Sequence, residues 1–370
     1  MRRLKTIDIL RGLSMLWMFL GHLLDWWLLY NDRLLYTTAF SLFDVIGAGA
    51  FILVSGISTT LSYRTRLKKL EHLGANSKRI VRNEYLLRAS LILIVSIIYN
   101  IPIALYTLNV FNVWIWYVLL TIAVSLFLGR PFLRTNKFLR IIAAIGIIVA
   151  NQVFISFIHS HEGEANGLGF IFHIFYNGYP IMDPLLTFFP FFLVGSALGD
   201  LIHDIYLIEN KNMRRIRIKN HILYPFSALG IALVVIGVTY SYPDFLNAVV
   251  RSFSFILYSL GFQMILFSFL LLIEEFELIK TKKSYRFLYY FSYYSLSIFL
   301  IHNLLYFVFY HQLSASIVLF FIAGTVVLVW LLLKFIHKKF GKKVSLKALI
   351  SRLAVEGARR IEMRSRNKAI

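Results

Sequence analysis

Five ionisable side chains stand where an apolar helix has no need of them: Arg11, His22, Asp44, Arg88 and His302. Arg11 and His22 share the stretch RLKTIDILRGLSMLWMFLGHLLDWWLLY, eleven residues apart. Eleven residues is close to three helical turns, so both project from nearly the same face, about 16 Å apart along the axis. A histidine near neutral pH can take a proton from a hydroxyl or an amine, and a carboxylate can orient and charge-stabilise it. Arginine grips phosphate with a planar fork. The residue types therefore suggest a proton-handling centre of His22, Asp44 and His302, with Arg11 and Arg88 receiving an anion. Each has a plainer reading beside the chemical one. A histidine in a span can be a packing hydrogen-bond donor, and Asp44 can pair with a backbone group or an arginine. Asp8 and Arg11, three residues apart, read as an ion pair fixing the helix end, and Arg88 can snorkel to an interface.

The elements that must hold these residues are membrane spans. The chain has 370 residues, 59% hydrophobic and 15% charged, with a mean hydropathy of +0.71, unlike a soluble domain. Apolar runs long enough for a bilayer core of about 30 Å predict ten spans: 7–30, 36–63, 86–107, 113–128, 138–158, 184–205, 221–241, 246–275, 288–311 and 313–336. Lys and Arg gather before the first span, after every even-numbered one and in the tail, while 108–112, 159–183 and 242–245 have none and 31–35 has only Arg33. That alternation predicts a multi-pass cell-membrane protein with both termini cytoplasmic. It also accounts for the net charge of +21 as topology signals and not as a nucleic-acid surface. On this topology His22, Asp44 and His302 fall at a similar depth outside the midplane, whereas Arg11 and Arg88 lie toward the cytoplasm. Buried ionisable groups in lipid are costly and point to function.

The rest of the chain adds less. The connection 159–183 holds His159, His161, Glu162, Glu164, His173 and Asp183, but no standard metal-ligand spacing. It reads as a polar loop whose second half can form a short re-entrant or interfacial lid, and no metal is expected. Gly195 and Gly199 form a G-x-x-x-G that reads as close helix packing. Residues 1–340 form one predicted membrane domain, and 341–370 a basic amphipathic tail with Leu346, Leu349, Ile350 and Leu353 at helical spacing, suited to the anionic cytoplasmic leaflet. The absence of cysteine excludes disulfides and thiolate chemistry. The N-terminal apolar run exceeds a signal-peptide core and lacks a small-x-small cleavage site, so it is expected to be retained.

IDILRGLSMLWMFLGH resembles the opening span of the transmembrane acyltransferase superfamily, whose signature is an arginine followed by ten residues and a histidine, here Arg11 and His22. FDVIGAGAFILVSGISTTLSYRTR, FFPFFLVGSALGD and YYSLSIFLIHN resemble the prokaryotic relatives of the heparan-α-glucosaminide N-acetyltransferase catalytic domain. The resemblance covers most of 1–310. It implies an all-α polytopic bundle of about ten transmembrane helices, and transfer of an acyl group, expected to be acetyl, from cytoplasmic acyl-CoA to a glycan or glycolipid at the far face. It implies Arg11 and Arg88 at the donor, and His22 as acid/base centre with Asp44 and His302 around it. One departure counts: the heparan enzyme has Asn where His22 stands, and its own important His lies in the first outer connection, where NDRLLYTTAFSLF has none. Direct transfer with His22 as general base is therefore expected over an acyl-histidine intermediate. Membrane lipids are expected partners, and a homodimer is open. Two other classes remain: a proton-coupled transporter or lipid flippase without group transfer, which uses the same buried charges, and a scaffold recruiting partners through its tail.

Overall fold

The computed structural model describes residues 3–178, 182–241, 251–279, 285–341 and 343–367. The regular structure among these residues is helical, with no strand. Eight segments are long and apolar enough to cross a membrane: Lys5–Trp27, Tyr30–Lys69, Asn76–Tyr106, Lys137–His161, Leu185–Tyr206, Lys211–Tyr240, Phe253–Phe276 and Ala315–Phe340. The fourth and ninth expected spans are the shorter apolar segments Val118–Phe132 and Ser295–Phe307. Residues 242–250, with the start of the eighth expected span, lie outside the described residues.

Contacts divide the chain into two compact units, Arg2–Phe51 with Ile222–Leu349, and Ile52–His221 with Ile350–Ile370. The first unit is built on α1 (Lys5–Trp27), which packs on α11 (Phe253–Phe276), α12 (Arg286–Tyr293) and α14 (Ala315–Phe340), while α10 (Tyr224–Tyr240) packs along α11. Gly12 brings α1 onto the α12 backbone, where a Cβ would strike the Leu288 carbonyl. α1 starts on a carboxylate: Glu274 accepts from Lys5 N at 2.9 Å, Thr6 N at 2.7 Å and Thr6 Oγ1 at 2.8 Å, filling donors that no helix can satisfy internally.

Two breaks shape this unit. α2 (Arg33–Phe43) stops at the 3₁₀ turn Asp44–Ile46, and α3 (Ala48–Lys69) starts beyond Gly47. A Cβ on Gly47 would collide with the Asp44 carboxylate. The carbonyl that the break releases at Val45 is taken up by α11, through Gln263 Nε2 at 2.7 Å and Ser259 Oγ at 3.3 Å. Irregular backbone in a membrane protein needs such internal partners. The second break follows α13 (Ser295–Ile301), where the chain enters the 3₁₀ turn His302–Phe307. From there it wraps the end of α1: Trp27 Nε1 donates to Leu305 O (2.8 Å), His311 N to Trp26 O (2.8 Å) and Leu313 N to Trp27 O (2.9 Å).

The second unit holds the rest of α3 with α4 (Ala75–Tyr106), α5 (Val118–Phe132), α6 (Lys137–Ile158), α7 (Gly167–Tyr176), α8 (Leu185–Tyr206), α9 (Lys211–Ile218) and the tail helix α15 (Leu346–Asn367), which joins this unit from residue 350. At 32 residues, α4 is about 48 Å long, well beyond the apolar core. The Gly195/Gly199 pair packs on α3, as its spacing predicts: added Cβ atoms would meet the carbonyls of Leu53 and Ile57. Asp200, one residue further, is clamped by Arg64 (2.6 Å) from α3 and by the fully buried Arg140 (2.6 Å) from α6. The 159–183 connection does carry a short helix, α7. Trp114 and Trp116 donate to its Ile174 carbonyl at 3.1 and 3.0 Å, so these aromatics anchor a helix end as well as suiting an interface.

Candidate active site

The first unit brings His22 and His302 together. His22 lies five residues before the C-terminal end of α1, and His302 opens the turn that wraps that end. Their ring centroids are 5.2 Å apart. Trp26, one turn beyond His22, stacks against both, at 5.1 Å from His22 and 5.4 Å from His302, with interplanar angles of 22° in each case. His302 is buried, and its Nδ1 lies 2.7 Å from the Phe299 carbonyl. A carbonyl only accepts, so Nδ1 carries the hydrogen and Nε2 keeps its lone pair. His22 is only partly buried and meets its neighbours through ring faces. The arrangement is a pair of imidazoles under an indole, able to hold and pass a proton.

Asp44 is placed differently from expectation. Its carboxylate ion-pairs with Arg251, and its Oδ1 accepts from Trp17 Nε1 at 3.0 Å. Trp17 lies five residues before His22, about 7.5 Å down the axis. Asp44 therefore braces the break in the second span and does not orient His22. The reason is physical: a carboxylate out of water needs a cation, and α11 presents Arg251 immediately before its first turn. Sequence reasoning missed Arg251, although a lone arginine inside an expected span was the signal. It also missed Trp26, which stands at i+4 from His22.

At the other end of α1, Arg11 is buried, three turns from His22. Asp8 lies within range of its charge, but the ion pair expected between them goes to Arg3 instead, through Nε at 2.6 Å and Nη2 at 2.9 Å. Tyr285 (2.9 Å) and Ser292 (3.3 Å) also donate to Asp8. Arg3 precedes the helix, so it can fold back over the first turn, where helical spacing does not apply. Arg88 belongs to the second unit. It stands thirteen residues into α4, one turn past Glu84, and is part-buried. In the polar connection His161 Nδ1 pairs with Glu164 at 2.7 Å and His159 with Glu162 at 3.5 Å, and no group of three ligating side chains occurs among the described residues.

These features define an all-α polytopic membrane protein with ionisable groups drawn together at the end of its first span. Residues 3–238 match the family described as heparan-alpha-glucosaminide N-acetyltransferase, catalytic, and the chain belongs to that family. The family implies a membrane acetyltransferase served by an acetyl-CoA donor. Arg11, His22, Asp44 and Arg88 lie inside the matched stretch, and Arg251 and His302 beyond it. No curated protein matches the chain significantly.

Proposed function

We propose that the protein moves an acyl group, acetyl in the simplest case, from cytoplasmic acyl-CoA to a hydroxyl or amine of a glycan or glycolipid at the outer side of the membrane. The observation that carries this reading is the His22–His302 pair under Trp26, in a chain of an acetyltransferase family. The donor thioester supplies an electrophilic acyl carbon. His22 takes the proton of the acceptor O–H or N–H as the acceptor lone pair bonds that carbon. The C–S bond breaks, its electron pair stays on sulfur, and the proton held by His22 passes to the thiolate. His302 offers its Nε2 lone pair beside His22, and two imidazoliums this close repel, so the pair carries one proton at a time. Arg11, on the same helix as His22, meets the anionic donor. Asp44 acts through position, holding Trp17 and the turn after α2.

The test is acetyl-CoA turnover and binding by purified protein in detergent. His22→Ala abolishes turnover, by a hundredfold or more on the scale of about 10²–10⁴ for general base catalysis, while donor binding survives. His302→Ala lowers turnover with the same binding. Arg11→Ala weakens binding first. Full turnover in a folded His22→Ala protein overturns the proposal.

A further inference from the structure

In the second unit, three arginines lie around one carboxylate and a fourth stands near the tyrosine beside it. Arg66 of α3 bonds Glu84 of α4, Nε to Oε1 at 3.3 Å. Arg88 follows Glu84 by one turn, and Glu84 also lies in the field of Arg359 on α15. Tyr85, beside Glu84, donates to the Leu126 carbonyl of α5 at 2.5 Å. Arg130 stands one turn beyond Leu126 and, like Arg88, within electrostatic range of Tyr85. Tyr63, three residues before Arg66, packs edge-on against Tyr85 at 6.2 Å. α3, α4 and α5 are thus tied together at one level.

The tail helix completes the group. Arg79 of α4 pairs with the buried Glu362 at 3.4 Å, and Gly357 sits where a Cβ would approach Leu87 to 3.0 Å. Residue 362 lies beside 79 and 357 beside 87, so α15 runs antiparallel to the first turns of α4. Ile350, Ala354 and Ala358 are buried along it, and Arg359 follows on the exposed side. Arg88, Arg130 and Arg359 form no ion pair with any described residue, and neither does Glu356 of α15.

Four guanidiniums against one carboxylate leave a surplus of about three positive charges, two of them on part-buried arginines. Such a surplus is costly without a counter-anion, and the fork of arginine fits a phosphate. The geometry points to a phosphate-binding site of Arg66, Arg88, Arg130 and Arg359, completed by the C-terminal helix. It rests on the proposed acyltransferase reading only in assigning the phosphates to the donor. Two sources offer the chemistry: the adenosine bisphosphate end of the donor, and an anionic phospholipid headgroup.

The experiment measures binding of adenosine 3′,5′-bisphosphate and, separately, of short-chain phosphatidylglycerol to full-length protein in neutral detergent. Wild type is compared with Arg359→Gln, Arg130→Gln and, as control, Arg364→Gln, each checked for an unchanged melting temperature. The expected result is a loss of about tenfold in each of the first two variants, equal to about 1.4 kcal/mol, with the control unaltered and binding weakened by salt. Arginine-dependent binding of the nucleotide assigns the site to the donor, whereas arginine-dependent binding of the lipid alone assigns it to a headgroup. Absence of binding by either probe, or equal binding by wild type, Arg359→Gln and Arg130→Gln, overturns the site. If the nucleotide binds as expected while His22→Ala keeps full acetyl-CoA turnover, the phosphate site stands and the catalytic reading falls.

Discussion

The Asp44–Arg251 pair admits a test in which two disruptive changes are milder together than apart. Both side chains are about 8% exposed, and the carboxylate holds a further bond from Trp17 Nε1. Arg251→Met leaves a buried carboxylate with an indole N–H in place of a cation, and Asp44→Leu takes the carboxylate away from a buried guanidinium. Removing one partner of a buried pair costs about 3–5 kcal/mol. At about 2.1 cal/mol/K per residue of unfolding entropy, that is about 4–6 °C in melting temperature for a chain of this length. The double variant Asp44→Leu/Arg251→Met removes both charges, and its remaining cost is the unpaired Trp17 N–H, about 1–3 kcal/mol. It should therefore melt above either single variant. Intrinsic tryptophan fluorescence on heating in detergent reads this directly. A double variant that melts lower than both singles, at the sum of their losses, would refute the pairing argument. Turnover separates the two roles of Asp44: a positioning carboxylate predicts substantial activity in the restabilised double variant, and a working carboxylate predicts none.

Three further outcomes follow from the packing. Gly195→Leu should force α8 off the α3 backbone and lower stability by about 1–3 kcal/mol or more, whereas Gly146→Ala, which meets open space, should be neutral in the same melt. Asp200→Leu should cost about 3–5 kcal/mol by taking the carboxylate from the fully buried Arg140, and Arg140→Met in addition should restore much of it, because Arg64 is partly exposed and can turn to water. Hydrogen bonds from His161 and Asn166 hold the Glu164 carboxyl below its ordinary range. A depressed folded value stabilises above the unfolded value of about 4.3 and is lost as pH falls through the lower one. Amide protection at the start of α7, corrected for intrinsic exchange, should accordingly drop as pH falls from 5 to 3, and in Glu164→Gln it should be low across that range.

The spans and the histidine pair were legible in the sequence because both depend on one-dimensional quantities. Hydropathy marks the spans, and counting residues from an expected membrane face puts His22 and His302 at one depth. What counting could not show was the break at Asp44–Gly47. FDVIGAGAFILV is apolar on both sides of the break, so hydropathy runs through it, and a straight helix would have aimed Asp44 at the level of His22. The break redirects the carboxylate, and its new partner comes from residue 251, a separation that no local periodicity reports. The cost of a charge in lipid does report it. An aspartate inside a span requires a cation from another element, and 246–275 contains a single basic residue, Arg251. The same rule explains why Asp8 chose Arg3. Arg11 is fixed by the helix, whereas Arg3 lies ahead of it and can wrap until two of its nitrogens meet both carboxylate oxygens. Pairing every in-span charge by cost before assigning it chemistry would have kept the two histidines together as the proposed centre and moved Asp44 to the support of the α2–α3 break.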